Sequence, residues 1–188
     1  MIKRYLTIAS FITAITLVAP QVSADDYPCP PNLGAVTIEG NIVVDGRCIL
    51  NGTTVDGDVK LMAGADLLAI GATIQGNVQS EESGVTRVRL SFTDIDGDVQ
   101  LEDVSGTLGS KIADSTIDGS VQLEYNSATF VVKDNDIDSD LQANDNTGGI
   151  EISNNVIDGN LQCQNNSPAP TGGNNIVDGS AEDQCEQL

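Results

Sequence analysis

A short motif, Ile-Asp-Gly followed by Asp, Asn or Ser, returns about every 20 residues and constrains the fold more than any other feature of the chain. The copies begin at Ile38, Val55, Ile74, Ile95, Ile117, Ile137, Ile157 and Val177, with spacings of 17, 19, 21, 22, 20, 20 and 20. A near-constant period of this length marks a solenoid, in which each repeat is one turn stacked on the last. The expectation is an all-β, single-stranded parallel β-helix of about eight turns.

Within one copy, Ile95-Asp96-Gly97-Asp98-Val99-Gln100-Leu101, the alternation around Val99 and Leu101 is that of a strand. Gly97 interrupts it, as expected where the chain bends and needs either a positive φ or a close backbone approach. A turn of about 20 residues holds three such strands, each pairing in parallel with its copy one turn away. Apolar residues at the three- and four-residue spacing of a helix are absent. The six prolines, Pro20, Pro28, Pro30, Pro31, Pro168 and Pro170, all avoid the central repeats, where every strand amide is needed in a ladder. They mark an N-terminal cap over residues 25–48 and a C-terminal cap over 161–188, which would blunt open sheet edges.

Residues 1–24 read as a secretory signal peptide: Lys3 and Arg4, an apolar stretch from Leu6 to Pro20, then Val22-Ser23-Ala24 before Asp25. The apolar stretch is short for a membrane span, and no second one follows. The expected mature domain, residues 25–188, is exported, either secreted or periplasmic. Losing the leader removes two of eight basic residues and none of 28 acidic ones, which leaves a net charge of −22. Such a surface repels nucleic acid and anionic lipid. The cysteines form two end pairs, Cys29 with Cys48 and Cys163 with Cys185, each about one repeat apart. Pairing across the ends would have to span about 30 Å of stacked turns at roughly 4.8 Å each, which no disulfide bridges.

Stacking places equivalent residues in columns. Gln79, Gln100, Gln122, Gln142 and Gln162 form an outward amide column, and Thr93, Ser115, Asn135 and Asn155, with Asn175 nearby, an inward polar one. The inward column is expected to satisfy a bend rather than bind a ligand. The repeats, with the end signature Gly159-Asn160-Leu161-Gln162-Cys163, Pro168-Ala-Pro-Thr-Gly-Gly173 and Asp183-Gln184-Cys185, resemble a family of small exported bacterial β-helix proteins. The resemblance implies a right-handed parallel β-helix with a disulfide-bonded C-terminal cap, and no established activity. The core repeats are also similar to bactofilin-type polymer-forming β-helices, from which the leader and the cysteines depart.

Chemistry is sparse. The chain has no histidine or tryptophan, and its cysteines read as paired, which removes Ser-His, Cys-His and histidine-rich metal sites in their usual forms. The outward column Asp56, Asp96, Asp118, Asp138, Asp158 and Asp178, interrupted by Gln75, repels itself by roughly 1 kcal/mol per neighbouring pair in water. Clustered carboxylates of this kind suit a hard cation, so Asp94, Asp96, Asp98, Asp118, Asp138, Asp140 and Asp158 are the candidate Ca²⁺ ligands. Asp134-Asn-Asp136-Ile-Asp138-Ser-Asp140 resembles the start of an EF-hand loop, but Ser139 stands where glycine is required and Asp145 where the bidentate glutamate belongs. Threonines at 37, 54 and 73 begin an ice-binding type of array, which Asp94 and Asp136 interrupt.

The function expected on these grounds is an exported, non-enzymatic structural or binding module for adhesion or for a surface or matrix scaffold. Its partners would be a glycan, another cell-surface component, or a second copy stacked end to end. The alternative is a carbohydrate-active β-helix using Asp carboxylates, although repeats of 17 to 22 residues leave little room for groove-forming loops.

Overall fold

A rung of about 20 residues returns above its own start only by turning three corners, and it does so with three short strands. One complete rung runs Thr116–Ile117, Val121–Glu124 and Phe130–Lys133, and the next begins at Asp136. The computed structural model describes residues 26–188; the leader expected over residues 1–24, with its cleavage point, lies outside them. Three parallel sheets result. The motif strands make an eight-stranded sheet 1, the Val-Gln strands a nine-stranded sheet 2, and the third set a seven-stranded sheet 3. The eight motif copies span about seven turns of an all-β solenoid with no helix among the described residues.

Register is one residue to its copy. Ile95, Ile117, Ile137 and Ile157 lie in line on sheet 1, and Val99, Val121, Leu141 and Leu161 on sheet 2. Each is at most 1% exposed. Side chains of this size contribute on the order of 2 kcal/mol apiece when fully buried. The period-two pattern and the 20-residue period are therefore two views of one core, which runs the length of the rod.

The motif glycine works by close approach. A Cβ on Gly97 would lie 2.5 Å from Asn77 Oδ1 and 2.7 Å from the Gly76 carbonyl oxygen. From Gly57 to Gly179 none of the motif glycines has a left-handed φ. The left-handed backbone lies instead at the other two corners. Phe92, Asp114, Asp134, Asn154 and Asn174 lead from sheet 3 into sheet 1, and Asp103, Tyr125, Asp145, Asn165 and Asp183 lead out of sheet 2, all with φ between 53° and 60°. Aspartate and asparagine visit this region at little expense, whereas bulky Phe92 and Tyr125 do so at about 1 kcal/mol.

Both expected disulfides form, with Cα atoms 5.5 Å apart for Cys29–Cys48 and 5.4 Å for Cys163–Cys185. All four cysteines are fully buried, so the bonds staple each end through the core. At the first end, Leu33 bridges to Leu50 on the edge of sheet 3, and Pro28 sits in the outermost strand of sheet 2, where proline is tolerated. At the other end the chain turns back after Asp183, and Leu188 packs against the core.

Candidate functional site

The seven candidate calcium ligands divide by position in the rung. Asp96, Asp118, Asp138 and Asp158 occupy the corner between sheets 1 and 2 and point outward, exposed. Asp94 is exposed on sheet 1, in register with Thr73 and Thr116. Asp98 and Asp140 are half-buried and committed to the backbone: their Oδ1 atoms accept the amides of Ser120 at 2.8 Å and Asn160 at 2.7 Å in the next rung. The EF-like run is spread along the rung, with Asp134 beside Lys133 at 3.1 Å, Asp136 on sheet 1, Asp138 at the corner and Asp140 in the ladder. Among the described residues no three His, Cys, Asp or Glu side chains converge to hold a metal ion.

The ladder that takes Asp98 and Asp140 is continuous over the first half of the rod. Asn41 accepts from Asp58 N at 2.9 Å, Asp58 from Asn77 N at 2.8 Å, and Asn77 from Asp98 N at 2.8 Å. The motif residue after glycine is thus a cap for the rung above. That explains both the Asp/Asn preference and the glycine, since the capping oxygen fills the space a Cβ would need. The one serine at the glycine position, Ser139, stacks above Ser120, the first motif copy whose side chain is too short to present that oxygen.

Two further ladders are internal. The expected one runs through Thr93, Ser115, Asn135, Asn155 and Asn175, with each amide N–H bonded to the side-chain oxygen of the next residue at 3.0–3.2 Å. Asn126, Asn146 and Asn166 form an equivalent ladder at the corner between sheets 2 and 3, closed by Gln184 Oε1, which accepts Asn166 N at 2.8 Å. Sequence reasoning missed this second ladder, although its spacing of 20 residues was a visible signal. The outward glutamines do stack in register, but three of their amides turn to carboxylates: Gln79 to Glu81, Gln100 to Asp98 at 3.5 Å, and Gln162 to Glu182 at 3.1 Å. The threonine array is likewise in register and broken as expected, reading Thr37, Thr54, Thr73, Asp94, Thr116, Asp136, Val156, Ile176.

The outer face of sheet 3 held no candidate in the sequence, yet it gathers the cations. Arg47, Arg87, Arg89, Lys111 and Lys133 all project from it, leaving Lys60 as the one basic residue elsewhere among the described residues. Arg87 grips Asp66 in a two-pronged pair, Nε to Oδ1 at 2.7 Å and Nη2 to Oδ2 at 2.6 Å. That hydrogen-bonded guanidinium, with the charges of Arg47 and Arg89, holds the Asp66 carboxyl below its ordinary value of 3.8 against the opposing effect of burial. A shallow depression of about 190 Å³ lies beside the pair, lined by Asp66, Thr86, Arg87, Gly106, Thr107 and Leu108.

Two expected outcomes follow from these charges. A carboxyl with a lowered folded value stabilises the fold above its unfolded value and stops doing so as pH falls through the folded one. Wild type should therefore melt above Arg87→Met at neutral pH, and the gap in Tm should close once pH falls well below 3.8, as a pH series of thermal melts would show. On the acidic corner, Asp96→Asn with Asp118→Asn removes two rung-to-rung repulsions worth roughly 1 kcal/mol each before salt screening. The double variant should melt higher than wild type in chelator, and a lower Tm there would contradict simple repulsion.

Comparison with protein-family models, with curated proteins and with solved structures finds no match for the chain.

Proposed function

We propose that this chain is an exported, non-enzymatic structural or binding module, a rigid rod serving adhesion or a surface or matrix scaffold. The observation that supports this reading is its cross-rung bonding. Backbone pairing on three sheets is joined by a side-chain ladder at each corner, one over the first half of the rod and the other two from Thr93 and Asn126 onward, and the corners are where an extended solenoid would otherwise flex. Such a rod holds identical side chains in columns at about 4.8 Å, which suits repeated, weak contacts with an extended partner such as a glycan or another cell-surface component.

The two disulfides fit an oxidising extracellular or periplasmic setting. Among the described residues no helix is long and apolar enough to cross a membrane. The basic start and apolar stretch of residues 1–24 supply the export signal in this reading. The test is sedimentation of the purified protein with insoluble cell-wall material and with glycan-coated beads, each in Ca²⁺ and then in chelator. Retention on either supports the module, and a Ca²⁺-dependent gain would add the cation as a bridge between carboxylate columns. Release of reducing sugar from the same material would replace the reading with a carbohydrate-active enzyme.

A further inference from the structure

We propose that copies of this chain associate side by side, the outer face of sheet 3 on one copy receiving the acidic corner of the next. This rests on the structural-module reading and adds the surfaces through which the module would assemble. Three observations carry it. All three described arginines and two of the three lysines lie on sheet 3, against two carboxylates on the same face, Asp66 and Glu151. Asp114 and Asp134 at its edge pair with Lys111 at 3.9 Å and Lys133 at 3.1 Å, which leaves Arg47 and Arg89 without an ion pair among the described residues. Arg89 makes no side-chain hydrogen bond among the described residues: its Nε is buried without a partner, which leaves the outer guanidinium nitrogens to meet a carboxylate of the next copy.

The complementary surface lies on the opposite side. Sheet 3 borders the other two corners, so the corner between sheets 1 and 2, with Asp56, Asp96, Asp118, Asp138, Asp158 and Asp178, is the one it does not touch. Both surfaces repeat at the same rung spacing because both belong to the same solenoid, so Arg47 and Arg89, two rungs apart, can each meet a carboxylate in the unbroken run from Asp96 to Asp178 without slippage. Apolar residues add contact area to the cationic face: Ile49, Leu68 and Val131 project from it, with exposed Ile70, Phe92 and Leu108 at its margins. Seven strands of three to five residues present roughly 480 Å², hence about 950 Å² for two partners, the size of a weak interface. Because the two surfaces are different and face opposite ways, the contact does not close, and it propagates into lateral arrays.

Net charge sets the conditions. Each mature copy carries −22, so at about 0.01 M salt, where charges act over roughly 30 Å, whole-molecule repulsion wins. Near 0.15 M the reach falls to about 8 Å, which silences the distant charges and spares the contact pairs; at about 1 M the contact pairs weaken too. The mass measured by light scattering should therefore pass through a maximum, at least about twofold above the monomer, at intermediate salt.

The deciding experiment combines that salt series with charge reversal. Arg47→Glu with Arg89→Glu, two rungs apart, should be monomeric throughout, and so should Asp118→Lys with Asp158→Lys, also two rungs apart, each with an unchanged circular dichroism spectrum. Mixed one to one, the two should regain the wild-type mass, because the reversed face now meets the reversed corner. Should Arg89→Glu cost the fold, Arg47→Glu with Lys111→Glu reads the same contact. A monomer at every salt, assembly untouched by reversal, or no recovery on mixing would each overturn lateral pairing while leaving the scaffold reading to its own cell-wall test. Arginine-dependent binding of soluble polyuronate by a protein that stays monomeric would also overturn it and make an anionic polysaccharide the occupant.

Discussion

Asn146→Ala is expected to lower stability by about 3 kcal/mol, the largest effect of any single polar substitution in the rod. Asn146 is 1% exposed, and its Oδ1 accepts the Asn126 amide at 3.0 Å while its Nδ2 donates to the Leu123 carbonyl at 2.8 Å and to Asn166 Oδ1 at 2.9 Å. Truncation leaves the Asn126 N–H buried without an acceptor, removes a donor from Leu123, and opens a small cavity at a corner that water cannot easily reach. Denaturant midpoints measure the loss, with Gln122→Ala on the outer face as a control expected within about 0.5 kcal/mol of wild type. Asn146→Asp sharpens the test. It keeps the acceptor for Asn126 but turns a carboxylate oxygen toward two other oxygens, so at neutral pH it should be worse than alanine. A milder effect of aspartate than of alanine would mean that the amide donor contributes little and that volume alone matters.

Gly97→Ala is the second large effect, expected at about 3 kcal/mol because the new methyl meets backbone, which cannot swing aside. The Gly76 carbonyl at 2.7 Å and the Asn77 side chain at 2.5 Å must both move. The protein itself shows how part of that conflict is relieved, since Ser139 occurs where the rung below carries Ser120 in place of a longer capping residue. Asn77→Ser should accordingly soften Gly97→Ala, with a coupling on the order of 1 kcal/mol in a double-mutant cycle. Rescue remains partial because the Gly76 carbonyl stays in place and the Asp98 amide loses its cap. Strict additivity of the two substitutions would show that the carbonyl is the whole obstacle.

These two sites mark where reading the chain succeeds and where it stops. The glycine was legible as a bend, and its two possible causes were named; the register of one rung on another was needed to choose close approach over positive φ. The inward column Thr93, Ser115, Asn135, Asn155 was legible because it shares parity with the buried isoleucine two residues on. Asn126, Asn146 and Asn166 escaped notice because the corner they serve carries no motif, and the left-handed residue before each is Tyr125, Asp145 or Asn165 rather than a telltale glycine. The candidate cation ligands were identified by column, but a column does not say which oxygens are already spent. Asp98 and Asp140 use theirs on the backbone, and Asp96 and Asp118 do not.

The sequence by itself determined the solenoid, its period, the inward column at the motif corner and the partners of its four cysteines, because every rung repeats the same short-range pattern and stacking follows from repetition. Only the tertiary structure decided what meets on sheet 3. Arg47, Asp66 and Arg87 lie 19 and 21 residues apart, and Arg89 and Lys111 lie 22 apart. They align because the loops before sheet 3 absorb the differences in rung length, and loop residues outside the motif carry no periodic mark from which that register could be read.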